Sequence, residues 1–365
     1  MKKICFVCFN IEDMGGITRV MSNICREFES FGNYKLSIIS ICDTGKENHY
    51  YFSENIKVFK LNNNPNDRIR NIIFKSFAPL RKIFKNNSFD IVFMEGHYIP
   101  PIVLPLKFFT KSKFVFCDHG SLVNQLQDKK ATFFRKLSSK LCEKIVVLTE
   151  RTKNDYKKVF GVSDSKIRVI PNFIDEEIFK FKKEYDVNSK IILSSGRFTK
   201  EKGFDMLVSV ASQVFAKHKD WQWHIYGDGP ELSKIDSLIK EKELENNVKL
   251  MGLADNMYEK YNGAGIFVLT SYREGFALVL LEAKASGVPM VSFNSVSGPS
   301  EIISNNVDGY LIPCYNVTMM SAKICTLIEN DNLRKEFSEH TKSGIGKFLK
   351  HEVMEKWNNI IKELL

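Results

Sequence analysis

The chain has 365 residues, 44% of them hydrophobic and 26% charged, a globular composition that excludes disorder as the main state and is too long for one ordinary core. Its formal net charge of +10 sits in one half: Lys and Arg outnumber Asp and Glu by 29 to 17 over residues 1–175 and trail them, 24 to 26, over the remainder. A basic half suits an anionic partner, and because no recognition motif accompanies the charge, nucleic acid is not expected.

The opening run Met1 to Phe9 ends at Asn10, Glu12 and Asp13 with no small-residue cleavage site behind it, so it reads as a buried strand rather than a signal peptide. Short β-branched and aromatic runs then alternate with longer amphipathic stretches, the pattern of parallel strands joined by helical crossovers. Strands are expected at 3–9, 35–42, 56–61, 90–95, 113–118, 144–149 and 167–170, and again at 190–195, 221–227, 247–251, 265–270, 288–293 and 309–312. The fold class is therefore α/β. Residues 1–175 and 176–346 are each expected to form a doubly wound, Rossmann-like domain, the two facing a cleft, with a linker at Pro171 to Lys183. A closing helix is expected over 347–365, where Phe348, Leu349, Val353, Trp357, Ile360 and Ile361 recur at near-helical spacing, and it is expected to pack back on the first domain.

No apolar run reaches the roughly 20 residues that span a bilayer. The eight cysteines are scattered, which fits a reduced cytosolic compartment. Cys5 and Cys8, three apart in a strand, point to opposite faces and cannot share a zinc ion.

Three junctions carry the chemistry. The first strand runs into Gly15-Gly16, where a backbone can approach a ligand closely or simply turn. The strand ending at Ser195 runs into Gly196 to Gly203, whose Arg197 and Lys202 suit a diphosphate and suit solvent equally well when taken alone. The strand Ile266 to Thr270 runs into a loop holding Glu274, then a helix from Phe276 that Gly287 and Pro289 end, with Glu282 about two turns inside. The amides of Phe276 to Leu278 at that helix start favour a phosphate. The two carboxylates suit hydroxyl recognition on either side of it, Glu274 for a sugar and Glu282 for a ribose. Taken singly, Glu274 reads as a capping acid and Glu282 as a solvated helix residue. Residues 68–87 interleave Arg68, Arg70, Lys75, Arg81, Lys82 and Lys85 with large apolar residues, as an interfacial helix on anionic lipid or a crossover helix with a solvated basic side would. Pro79 is expected to kink or divide it.

Glu274 and Glu282, with Gly275-Phe276 after the first and Ala283 and Gly287-Val288-Pro289 after the second, resemble the E-x7-E signature of the retaining glycosyltransferase family GT4, of the GT-B fold. Gly15-Gly16, Asp118-His119-Gly120, Pro171-Asn172-Phe173-Ile174-Asp175 and Gly196 to Gly203 fall in that family's order, so the resemblance covers nearly the whole chain. Gly298 to Ile303 followed by Asp308-Gly309 resembles members that build bacterial O-antigen, capsule and lipid-linked oligosaccharides. Ala277 departs from the pattern, where proline, glycine or serine is commoner, and this leaves the donor open.

The resemblance implies a hexosyltransferase that moves a hexose or N-acetylhexosamine from a UDP-sugar to a saccharide or lipid-linked acceptor with retention. It places Gly15, Gly16, Arg197, Lys202, Glu274, Gly275, Phe276, Ala277, Leu278 and Glu282 at the donor, and makes Glu274, His119, Arg197 and Lys202 the catalytic set. No metal or other cofactor is expected, since two cations and a helix start carry the phosphate charge. The implied location is cytoplasmic, peripheral on the inner face of the membrane and in contact with it through residues 68–87. The alternatives are a nucleotide-sugar epimerase of the same fold and a non-catalytic accessory subunit.

Overall fold

A computed structural model describes residues 1–181 and 183–365; Lys182, inside the expected linker, lies outside the described residues. The chain divides into two compact units, one made of Met1–Asn172 with His351–Leu365 and one of Phe173–Lys350.

The first unit holds a seven-stranded parallel sheet of β1 (Lys2–Asn10), β2 (Tyr34–Cys42), β3 (Lys57–Asn63), β4 (Ile91–Glu95), β5 (Lys113–Asp118), β6 (Lys144–Val147) and β7 (Ile167–Val169). Their order is β3-β2-β1-β4-β5-β6-β7. The order reverses between β1 and β4, and at such a switch point a crevice opens outside the strands' carboxyl ends. Ile4 to Val7 and Ile91 to Met94 are fully buried because helices cover both faces of the sheet.

The faces follow the period of two along a strand. Cys5, Val7, Val92 and Met94 join one cluster with Phe114 and Phe116. Phe6 and Phe93 stack on the opposite face at 5.1 Å, and Trp357 meets Phe93 and Phe28 edge-on at 5.3 and 6.4 Å. Trp357 belongs to the helix Lys350–Leu364, which buries Val353, Met354, Trp357, Ile360 and Ile361 as one stripe.

The helix Ile69–Asn87 continues through Pro79 without the division that the sequence allowed. Ile72, Ser76, Leu80 and Phe84 are its buried side, whereas Pro79 is exposed, so water can serve the backbone carbonyl that lost its amide partner.

The second unit holds a six-stranded parallel sheet of β8 (Ile191–Ser195), β9 (Gln222–Tyr226), β10 (Val248–Gly252), β11 (Ile266–Leu269), β12 (Met290–Phe293) and β13 (Gly309–Ile312), ordered β10-β9-β8-β11-β12-β13. Its switch point lies between β8 and β11. Every strand of both sheets stands within two residues of where the apolar runs place it. A polar tie locks the centre: Trp223 Nε1 donates to Ser194 Oγ at 2.9 Å, and that hydroxyl donates to Val268 O at 2.6 Å. None of the described helices is long and apolar enough to cross a membrane.

Candidate functional site

In the second unit, β8 ends at Ser195 and the chain turns through Gly196–Gly203 before the helix Phe204–Phe215. The turn is held from both sides. Phe198 N donates to Asp228 O at 2.8 Å and Glu231 N to Phe198 O at 2.9 Å, an approach so close that a Cβ on Gly229 would lie 2.6 Å from Phe198 O. On the other side Tyr272 N donates to Glu201 O at 2.8 Å and Thr270 Oγ1 to Lys202 O at 3.3 Å. The turn is thus wedged between the carboxyl ends of β9 and β11. This fixes Lys202, whose Nζ lies 2.7 Å from Glu274 Oε1 in a pair that leaves the glutamate side chain 7% exposed and the lysine 25%. Arg197 lies exposed on the same turn.

The helix after β11 begins at Leu278, not Phe276, and runs to Ala285. Ala277 precedes it with φ 57°, a left-handed conformation that costs an L-residue roughly 1–2 kcal/mol, and it has no side chain to cap the helix. Glu282 is accordingly one turn inside and not two. The irregular start has a chemical consequence. Among the described residues, the five successive amides of Gly275, Phe276, Ala277, Leu278 and Val279 make no hydrogen bond, although Phe276 and Ala277 are buried. Buried amides require an acceptor, and successive amides in a mixed right- and left-handed stretch form an anion-binding concavity. Gly298 packs against the backbone of Phe276, where a Cβ would meet its carbonyl carbon at 3.0 Å, and Ser297 Oγ donates to Glu274 O at 3.2 Å.

Glu282 is buried, and Tyr261 OH donates to its Oε2 at 2.8 Å. The same phenol lies 3.3 Å from Ser195 Oγ, so Glu282 is tied to the last residue of β8. One edge of one sheet therefore carries the Lys202–Glu274 pair, Arg197, the amide bank and the Tyr261–Glu282 pair.

In the first unit, Gly15 caps the helix Gly16–Ser30 with its backbone alone, and Gly16 opens that helix just beyond the carboxyl end of β1. His119 follows β5, with Nε2 2.5 Å from Oε2 of Glu95, the last residue of β4. The register of β4 on β5 sets Glu95 opposite Cys117, two residues short of the histidine. Asp118 faces inward. Arg135 Nε and Nη2 donate to its two oxygens at 2.6 and 3.0 Å, Tyr156 OH donates at 2.6 Å and Gly120 N at 3.1 Å. Burial pushes the Asp118 carboxyl up, but the Arg135 guanidinium and the hydrogen bonds from Arg135 and Tyr156 outweigh it and hold the group below its ordinary value. A Cβ on Gly120 would lie 2.8 Å from Arg135 Nη2. Asp118 and Gly120 thus build the loop, and His119 is what the loop presents.

Three partners escaped the sequence reading. Glu95 was legible only as a strand end, Arg135 hid in a basic helix that reads as solvated, and Tyr261 carries no motif. Among the described residues no group of three His, Cys, Asp or Glu side chains could hold a metal ion.

Comparison with known proteins covers the chain from end to end. A family model described as Glycosyltransferase Family 4 matches residues 14–178, and one described as Glycosyl transferases group 1 matches residues 175–344. The amylovoran biosynthesis glycosyltransferase AmsD of Erwinia amylovora is 27% identical over 99% of this chain and 100% of its own length. An exopolysaccharide phosphotransferase of Streptomyces coelicolor is 32% identical over 60% of this chain, which spans only 23% of that relative. Among solved structures, a Staphylococcus aureus TarM variant in complex with fondaparinux, alpha-GlcNAc-glycerol and UDP superposes with a TM-score of 0.79 at 20% identity, over 99% of both chains.

Proposed function

The chain belongs to glycosyltransferase family 4 and has the GT-B fold, and from that premise we propose that it is a retaining glycosyltransferase of bacterial surface-polysaccharide synthesis, moving a hexose or N-acetylhexosamine from a UDP-sugar to a saccharide or lipid-linked acceptor. The observation that carries this reading is the bank of five unsatisfied amides at Gly275 to Val279 beside Lys202, on the edge where a doubly wound sheet binds ligands. The UDP in the TarM complex and the polysaccharide named for AmsD support the choice of donor and product class.

As the bond from the sugar's anomeric carbon to the diphosphate breaks, negative charge grows on the phosphate oxygens and positive charge on the sugar ring. Donors fixed at that phosphate lower the barrier because they bind the transition state better than the substrate. Lys202 has three N–H donors, so it can keep Glu274 and still reach a phosphate oxygen. Arg197 supplies the second cation and the amides of Phe276, Ala277 and Leu278 the dipole. Glu274, with Gly275 behind it, accepts hydroxyls of the transferred sugar. Glu282, oriented by Tyr261, accepts those of the ribose. Gly15 and Gly16 allow close backbone approach, and His119, steadied by Glu95, is a ligand to the sugar. The acceptor attacks from the face the diphosphate leaves, which retains configuration.

With this charge in place a divalent metal is not required, and activity is expected to survive chelation. The enzyme works at the cytoplasmic face of the membrane, where lipid-linked acceptors are presented.

A donor-hydrolysis screen over UDP-, GDP- and ADP-sugars tests the reading. UDP-sugar should be cleaved slowly without acceptor, and Arg197→Ala should lower turnover by about 100-fold or more. Near-normal turnover in that variant, or an isomerised sugar as the product, overturns it.

A further inference from the structure

The carboxyl edge of the first unit's sheet holds polar and aromatic groups that donor binding leaves unused. After β4 the chain turns tightly: Gly96 has a left-handed φ of 93°, Gly96 N donates to Cys117 O at 2.9 Å, and Ile99 N donates to Gly96 O at 3.2 Å. The turn presents two rings side by side. The centroids of His97 and Tyr98 are 4.2 Å apart, and Tyr98 also meets Phe9, near the end of β1, at 6.4 Å. Tyr98 is thus held by two neighbours and still 42% exposed.

The loop after β5 lies beside them. Arg135 Nη2 donates to Gln125 Oε1 as well as to Asp118, and a Cβ on Gly120 would meet that nitrogen at 2.8 Å and Gln125 Oε1 at 3.2 Å. Within residues 121–135, Ser121 Oγ, Asn124 Nδ2 and Arg135 Nη1 are buried without a hydrogen-bond partner among the described residues. Buried polar atoms are nearly always paired, so three orphans in one short stretch point to ligand oxygens. The charged groups that act on His97 are Arg135, Asp118 and Asp128, and those that act on Tyr98 are Asp128 and Arg135, which sets both rings against this loop. Asp118 already holds Arg135 by two bonds and Asp128 adds a second negative charge. In a unit rich in lysine, these rings therefore face no spare cation.

We propose that His97, Tyr98, Ser121 and Asn124 form the acceptor subsite and that they select an uncharged pyranose, its C–H face on the Tyr98 ring and its hydroxyls on the imidazole, the serine hydroxyl and the asparagine amide. Sugar C–H groups are polarised positive and suit the negative face of an aromatic ring. Neutral side chains that both donate and accept suit hydroxyls, which do the same. A phosphate or a uronate would give up its hydration beside Asp128 and gain no free cation in return. That the bound sugar is the acceptor rests on the transferase reading, whereas its being a neutral pyranose rests on this edge alone.

Saturation-transfer NMR on the full chain in the presence of UDP tests the subsite. The probes are neutral methyl pyranosides of hexoses and N-acetylhexosamines, methyl glucuronide and glycerol phosphate. At least one neutral pyranoside should bind saturably, about 10-fold or more tighter than the glucuronide or the phosphate. Tyr98→Ala and Asn124→Leu should each weaken that binding by about 10-fold, and Tyr98→Phe, which keeps the ring, should restore it to within about twofold. Urea unfolding of each variant certifies its fold, and a separate UDP titration of the wild type reads the donor assignment apart from this one. Equal binding of the glucuronide or the phosphate, no saturable pyranoside, wild-type binding by both Tyr98→Ala and Asn124→Leu, or a Tyr98→Phe variant as weak as Tyr98→Ala overturns the inference. So does a pyranoside whose binding falls in Glu274→Ala and not in Tyr98→Ala, the mark of the donor sugar's position.

Discussion

The carboxyl edges of the two sheets share a strand order, counted outward from β1 and from β8, and differ in what their polar groups do. At the first, most of the charge is consumed inside the protein: Arg135 and Tyr156 bond Asp118 and one oxygen of Glu95 takes His119, which leaves only Glu95 Oε1 and Arg135 Nη1 of these groups without a partner. At the second, five amides lack acceptors beside a lysine that has hydrogen-bonding capacity to spare. Topology therefore provides a crevice twice, and side-chain pairing decides which one keeps hydrogen-bonding capacity for an anion and which one mounts a single imidazole.

The largest effect should come from breaking the mount. Arg135→Met leaves Asp118 ionised and buried with only Tyr156 and Gly120 as donors, and should cost about 3–5 kcal/mol in urea denaturation. A loss under about 1 kcal/mol would mean that water compensates Asp118 and that the two edges are less different than drawn. Lys202→Ala acts on the other edge. It should lower donor turnover by about 100-fold while costing less stability than Arg135→Met, since Lys202 is partly solvated.

Acid should expose the smallest difference. Burial, then the nearby Arg135, push the His97 imidazole below its ordinary 6.5, so the unfolded chain takes up this proton before the native one and stability falls as pH drops below about 6.5. Asp118 has the same sign lower down: its contribution is complete above 3.8 and is lost as pH falls through its depressed native value. Urea midpoints at pH 7.5, 5.5 and 3 should decline in that order, and His97→Gln should flatten part of the first step. His224 of the second unit, also lowered by burial and by Lys249, should retain the rest.

The strands were legible because a parallel strand buried on both faces must be apolar throughout, as Ile4 to Val7 and Ile266 to Leu269 are. The positions of Glu274, Lys202 and Glu282 were legible because each follows a strand end at short range. What they touch was not. The Glu95–His119 pair depends on the register of β4 on β5, and Tyr261 reaches Glu282 across 21 residues of sequence. The start of the site helix was misplaced by two residues because Ala277 adopts a conformation its side chain does not advertise.

The helix Lys350–Leu364 sets an order of events during synthesis. Residues 1–172 leave the ribosome with the aromatic face of Phe6, Phe28 and Phe93 still lacking Trp357, and the whole of the other unit must be translated before that lid arrives. The half of the molecule made first is thus the last to be finished, and until then the nascent chain exposes an aromatic surface of the kind that chaperones shield.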